Sequence, residues 1–109
     1  MVTKPAQIRI DLPLIDLAAV CREFAVAELS IFGSVLRDEF RADSDVDFLV
    51  TFDSDDLGPW MGRLTDFEAA LSKILGRKAD VVLRSGVEQS PNYIRRRHIL
   101  NSAQRLYVA

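Results

Sequence analysis

The apolar positions change period several times along the chain. Leu14, Leu17, Ala18, Cys21 and Phe24 fall on one helical face, and Pro13 can open that helix at its first turn. Residues 26–32, VAELSIF, read as a strand that stops at Gly33-Ser34. SVLRDEF then predicts a short helix with Ser34 as its N-cap. Residues 45–52, DVDFLVTF, alternate and are rich in β-branched and aromatic side chains, so they predict a second strand. After the loop DSDDLGP, Trp60, Leu64, Phe67, Leu71 and Ile74 mark a helix stripe that Gly76 should end. KADVVLR, residues 78–84, predicts a third strand, and SGVEQSP a loop. Pro91 opens a last helix carrying Tyr93, Ile94, Ile99 and Leu100. Residues 1–12 form a leading arm, extended around QIRIDLP.

The predicted order is helix, strand, short helix, strand, helix, strand, helix. It describes a single domain over residues 1–109: an α/β or α+β sheet of three or four strands with helices packed on it. By itself such an architecture names no activity.

Composition narrows the classes. A chain of 109 residues that is 49% hydrophobic and 28% charged can bury a core without staples. Its formal net charge is -2, so no global basic field draws it to nucleic acid. The one cysteine, Cys21, forms no internal disulfide and suits a reducing cytosol. No stretch approaches the roughly 18 apolar residues of a membrane span, and the N-terminus lacks the apolar core of a signal peptide. The expectation is a cytoplasmic protein with no membrane partner.

The chemistry sits in residues 31–50, IFGSVLRDEFRADSDVDFLV. Asp45 and Asp47 project from the same face of the predicted strand, with carboxylates roughly 6–7 Å apart. Asp80 begins the next strand and joins them if the two strands pair. Three carboxylates held together repel unless a cation compensates them, and hard divalent ions prefer oxygen ligands. Isolated Asp-x-Asp pairs are usually solvated loop ends. An EF-hand is a specific rival, since Asp43, Asp45 and Asp47 match its first ligand positions. It fails because Phe48 stands at its glycine position and Ser54 at its glutamate position.

Gly33-Ser34 adds a second requirement. A glycine ending a strand lets a ligand approach the backbone, and a helix N-terminus beyond it offers free N–H groups to phosphate. The duller reading is a helix cap. Arg37, in the first helical turn, would oppose the helix dipole, so an anionic ligand, Asp38 or Asp43 is its partner. A phosphate seat beside a carboxylate–metal site is what nucleotidyl transfer needs.

Gly33-Ser34, Asp45-Val46-Asp47 and Asp80, in this spacing, resemble the signature of the DNA polymerase β-type nucleotidyltransferase superfamily. FGSVLR, DSDVDFLV and GRKADVVL are similar to its minimal nucleotidyltransferase (MNT) branch, from about residue 14 onward. Asp38 departs from the pattern, since many relatives carry glycine there. The resemblance implies a mixed sheet with helices packed on it, and ATP as substrate held at its triphosphate by Gly33 and Ser34, with Arg37 beside them. It implies two magnesium ions on Asp45 and Asp47, and Asp80 on the catalytic ion, helping to deprotonate the acceptor. It also implies an antitoxin paired with a HEPN-domain RNase toxin, acting by transfer of AMP to a tyrosine of the toxin or by masking it. A small-molecule or RNA nucleotidyltransferase is a third reading, and a homo-oligomer stays open.

The remaining residues have quieter readings. Arg95, Arg96, Arg97 and His98 are consecutive, so on a helix they scatter around the axis as a solvated face. Contact with an acidic partner, phosphate or RNA is the alternative. His98 is the only histidine, which excludes a histidine-based metal cluster. Cys21, Trp60 and Phe67 read as core, although LGPWMG, residues 57–62, leaves an exposed partner patch open.

Overall fold

The computed structural model describes residues 2, 12–33, 45–54 and 56–109. The chain order is α1 (Leu14–Glu23), β1 (Val26–Phe32), β2 (Val46–Phe52), a 3-10 turn (Pro59–Met61), α2 (Gly62–Leu75), β3 (Ala79–Leu83), α3 (Arg84–Glu88), α4 (Tyr93–Ser102) and β4 (Gln104–Val108). The four strands form one sheet in the order β3-β2-β1-β4. β1 pairs antiparallel with β2 and with β4, whereas β2 and β3 run parallel. The parallel pair requires a long crossover, which α2 supplies. A mixed sheet with helices is the expected architecture.

Alternation along β2 decides which face is the core. Val46, Phe48, Val50 and Phe52 point one way and are buried with Leu17 and Cys21 of α1 and Phe67 and Leu71 of α2. Phe67 anchors this layer, with its ring 5.5 Å from that of Phe24 and 5.7 Å from that of Phe52. Burying a side chain of this kind contributes about 2–3 kcal/mol. Asp47, Leu49 and Thr51 face the other way. That second face is also covered in part, since Leu49 and Ser30 are buried.

Gly76 ends α2 as expected. Its φ of 68° is left-handed, and its N–H closes the last turn on the Ser72 carbonyl at 3.0 Å. Asn92 caps α4 through its side chain, which accepts from the Arg95 N–H at 3.1 Å. Among the described residues no helix is long and apolar enough to cross a membrane.

Three expectations are corrected. Trp60 is not a core residue of α2: it is 97% exposed, and both it and Met61 have φ of 56°. The helix starts only at Gly62, because Gly58 and Pro59 turn the chain and the Arg63 N–H bonds the Leu57 carbonyl at 2.9 Å across that turn. Part of SGVEQSP is helical rather than loop, as α3. The sheet gains β4, a strand not assigned from the sequence, on the side of β1 away from β2. Val2 bridges to Tyr107 of β4, which puts the start of the leading arm beside the sheet. The rest of that arm to residue 11, and the helix expected from SVLRDEF, lie outside the described residues.

Candidate active site

The site is a row across three strands. Phe32, the last residue of β1, is the register partner of Asp47 in β2, and Asp47 is the partner of Asp80 in β3. Directly paired residues share a face, so both carboxylates project from the side opposite the α1/α2 layer. Asp47 is half-buried, whereas Asp80 is exposed.

Gly33 follows Phe32 and turns the chain with φ of 82°. A Cβ added there would collide with the Asp47 carboxylate, the nearest atom being Oδ2. Glycine is therefore required twice, by the left-handed backbone and by the carboxylate lying against it. The phosphate seat expected at Gly33 and the expected metal ligand Asp47 are immediate neighbours.

Asp45 stands just ahead of β2 and is exposed. Its Oδ2 lies 3.9 Å from Lys78 Nζ, and the Val46 N–H donates to the Lys78 carbonyl at 3.0 Å. The same parallel pairing that aligns Asp47 with Asp80 brings Lys78 to Asp45. Both partners of this ion pair are largely exposed, so its contribution to stability is small. Its relevance is positional: a cation sits beside an exposed carboxylate of the site. Sequence reasoning did not single out Lys78; the signal was its place two residues before Asp80.

The structure thus brings Gly33, Asp47 and Asp80 together, with Asp45 flanking them. Ser34 and Arg37, expected at the triphosphate, lie outside the described residues. Among the described residues, no group of three or more His, Cys, Asp or Glu side chains is closed tightly enough to hold a metal. Like-charge repulsion works against such closure when no cation offsets it. The donor set still fits a hard divalent ion: oxygen ligands, two of them in cross-strand register, beside a backbone bare of any side chain. His98 lies on exposed α4, and the arginines beside it scatter around the helix as expected.

The chain is 37% identical over 65 residues to protein adenylyltransferase MntA of Thermococcus cleftensis, which is 60% of this chain and 63% of that protein. A Methanocaldococcus jannaschii protein assigned as a protein adenylyltransferase is 31% identical over 65 residues, 60% of this chain and 64% of its own. The matched region is therefore less than two thirds of either relative. A solved structure assigned as a minimal nucleotidyltransferase superposes with a TM-score of 0.61 at 31% identity, covering 83% of this chain and 84% of that one. A toxin–antitoxin crystal structure with AMP-PNP shares the fold, with a TM-score of 0.64 at 15% identity over 90% of this chain and 75% of its own. The nucleotidyltransferase domain family matches residues 17–105, which is most of the sequence and includes the whole acidic row. The chain belongs to the nucleotidyltransferase domain family.

Proposed function

We propose that this chain is a magnesium-dependent nucleotidyltransferase that moves AMP from ATP to a tyrosine hydroxyl of a HEPN-domain RNase toxin, and so acts as an antitoxin in the cytoplasm. The observation that carries the chemistry is the row Gly33–Asp47–Asp80, in which a bare backbone turn adjoins two carboxylates in register. The protein acceptor is supported by the adenylyltransferase names of the relatives. A toxin as acceptor agrees with the toxin–antitoxin fold neighbour, and the HEPN class and the tyrosine rest on the family resemblance.

In this reading Gly33 lets the triphosphate approach the main chain, with Ser34 and Arg37 contributing a hydroxyl and a counter-charge. Asp45 and Asp47 would hold two magnesium ions, with Asp80 completing the set at the catalytic one, and ions held there would supply charge neutralisation at the phosphates. Asp80 receives the acceptor proton as the tyrosine oxygen bonds to the α-phosphorus. The bond from that phosphorus to the bridging oxygen breaks, and pyrophosphate leaves.

The test is incubation with α-labelled ATP, magnesium and the product of the neighbouring gene. Label on a tyrosine of that product, with release of pyrophosphate, is expected. A complex that forms and silences the toxin without any label would overturn transfer in favour of masking.

A further inference from the structure

A cavity of about 350 Å³ opens where α3 and α4 pack beside β3 and the start of α2. Its walls include Met61, Val82, Val87 and Ile99, and Arg95 and Arg96 stand among its lining residues. The residue before Met61 is Trp60, 97% exposed and held in a left-handed conformation. Bulky residues in that conformation cost roughly 1–3 kcal/mol and persist where the surroundings impose them. Here the Met61 N–H bonds the Gly58 carbonyl at 3.3 Å, and the Gly58 N–H bonds Asp56 Oδ1 at 3.0 Å. The turn holds a large aromatic side chain in water, next to an apolar groove.

The charged residues in the described lining of the groove are arginines. α4 carries Arg95, Arg96 and Arg97 and no acidic residue, in a chain whose net charge is -2. Arg96 is fixed: it donates to the Ser90 and Glu88 carbonyls at 3.3 and 3.4 Å and lies over the Tyr93 ring at 5.5 Å. Arg95 is exposed. Tryptophan and arginine are enriched at the energetic centres of protein–protein contacts, and here Met61, the neighbour of exposed Trp60, lines the same groove as Arg95 and Arg96.

The groove does not invite an added strand. β3 is the edge of the sheet, but α2 occupies its outward N–H groups: Ser72 Oγ accepts from Ala79 and Glu68 Oε2 from Val81, both at 2.9 Å. A partner must enter by side chains. Single-stranded RNA fits less well, because the walls are aliphatic rather than a series of stacking platforms.

We infer that this groove docks a protein partner through an apolar anchor side chain flanked by acidic residues, which meet Arg95 and Arg96 while the partner covers Trp60. The inference rests on the proposed action on a protein partner, and it supplies a docking surface whose lining includes none of Gly33, Asp45, Asp47 and Asp80.

Trp60 is the only tryptophan and precedes Met61 in the groove wall, so its emission reports a partner that covers both. The probe is a short peptide with phenylalanine and leucine set between glutamates, titrated into the full chain. A blue shift is expected, together with roughly tenfold or greater weakening when lysines replace the glutamates or in Arg95→Glu. Gly86→Leu blocks the groove from within: a Cβ at Gly86 sits 4.0 Å from Leu83 Cβ, an ordinary contact, and the longer side chain grows into the cavity. It should abolish the shift, and Arg95→Glu serves if that variant does not fold. Unchanged emission at about millimolar peptide, an equal response to the lysine peptide, or wild-type binding by the variants overturns the inference. A response to single-stranded RNA without one to the peptide would make the groove a nucleic-acid contact instead. Magnesium–ATP binding, measured in parallel, should be unaffected in both variants. Its absence in the wild type would count against the proposed transfer and leave the groove standing.

Discussion

Asp47 of β2 and Asp80 of β3 are direct partners in the only parallel pair among the described strands, so their carboxylates leave the sheet side by side. In the same row the Asp47 carboxylate lies against the backbone of Gly33. Two like charges in register oppose the pairing of their strands, and the proposed function assigns that row to cation binding.

Neutralising one member tests this. Asp47→Asn should lower nucleotide transfer by about a hundredfold or more, because a cation ligand is lost. Its melting temperature without metal should equal or exceed that of the wild type, since repulsion with Asp80 is relieved. Addition of magnesium should raise the melting temperature of the wild type more than that of the variant. Thermal melts with and without magnesium, beside a transfer assay, decide the point; a variant that transfers at the wild-type rate removes Asp47 from the site.

Gly33→Ala introduces a methyl group where the Asp47 carboxylate lies and where φ is 82°. The backbone term alone costs about 1–2 kcal/mol. The carboxylate must also move, so ATP affinity should fall by more than the stability loss explains. Equilibrium unfolding and ATP titration on the same sample separate the two effects. Unaltered nucleotide affinity would reduce Gly33 to a structural turn.

Much of this row was legible in the sequence because each member carries a local signal. Asp45 and Asp47 open an apolar alternation, Asp80 opens another, and Gly33 closes a strand whose bounds, Val26–Phe32, coincide with those read from the pattern. The register between β2 and β3 was not legible, since pairing is a tertiary property, and with it went the Lys78–Asp45 contact. β4 escaped notice because QRLYV is short and its alternation is interrupted: Leu106 and Tyr107 are both buried, and the register against β1 shifts there. α3 contains Ser85 and Gly86, poor helix formers, so its helicity comes from packing. Trp60 misled because its spacing continues the α2 stripe, whereas the positive φ of two successive residues is invisible to periodicity.

Arg63 is the principal polar fastener near the start of α2. Its guanidinium donates to the Phe24 carbonyl at 2.7 and 3.0 Å, to the Ala25 carbonyl at 3.0 Å and to Asp53 Oδ1 at 2.8 Å, and lies 4.4 Å from the Phe52 ring centroid. It ties the α1–β1 turn to the segment after β2. Arg63→Ala should destabilise by about 3 kcal/mol, mostly from carbonyls left without a donor. Arg63→Lys should recover little, because one ammonium cannot reproduce the planar fork. Urea midpoints measure both; a loss under about 1 kcal/mol for the alanine variant would refute the fastening role.

Cys21 is buried in the α1 layer, and desolvation pushes its thiol up from 9.0 to about 12, with the Arg22 charge opposing weakly. Native protein should resist thiol reagents that modify the urea-unfolded chain rapidly. The folded state keeps the proton over a range where the unfolded state loses it. This contribution is therefore complete below pH 9.0 and is lost as pH rises through about 12. Cys21→Ala should be less stable than wild type at neutral pH by about 1–2 kcal/mol, from the cavity left behind. The gap should narrow above pH 9.0. A constant gap across that range would mean that the thiol does not titrate as its burial requires.

Asp80 separates an enzyme from a masking protein. It is exposed, near the start of the edge strand β3, and under the proposed function its removal leaves Asp45 and Asp47 to hold magnesium and triphosphate. Accepting the proton of the attacking hydroxyl requires a carboxylate where the acceptor enters, and that is the role assigned to Asp80. Asp80→Ala should therefore retain much of the magnesium-dependent ATP binding while losing transfer by about two orders of magnitude or more. The groove beside α4 does not use the Asp80 carboxylate, so the complex with a toxin partner should still form. Under the transfer mechanism, cells producing the toxin lose protection with this variant despite an intact complex. Full protection by Asp80→Ala would show that binding alone neutralises the toxin, and transfer would then be dispensable for the antitoxin effect.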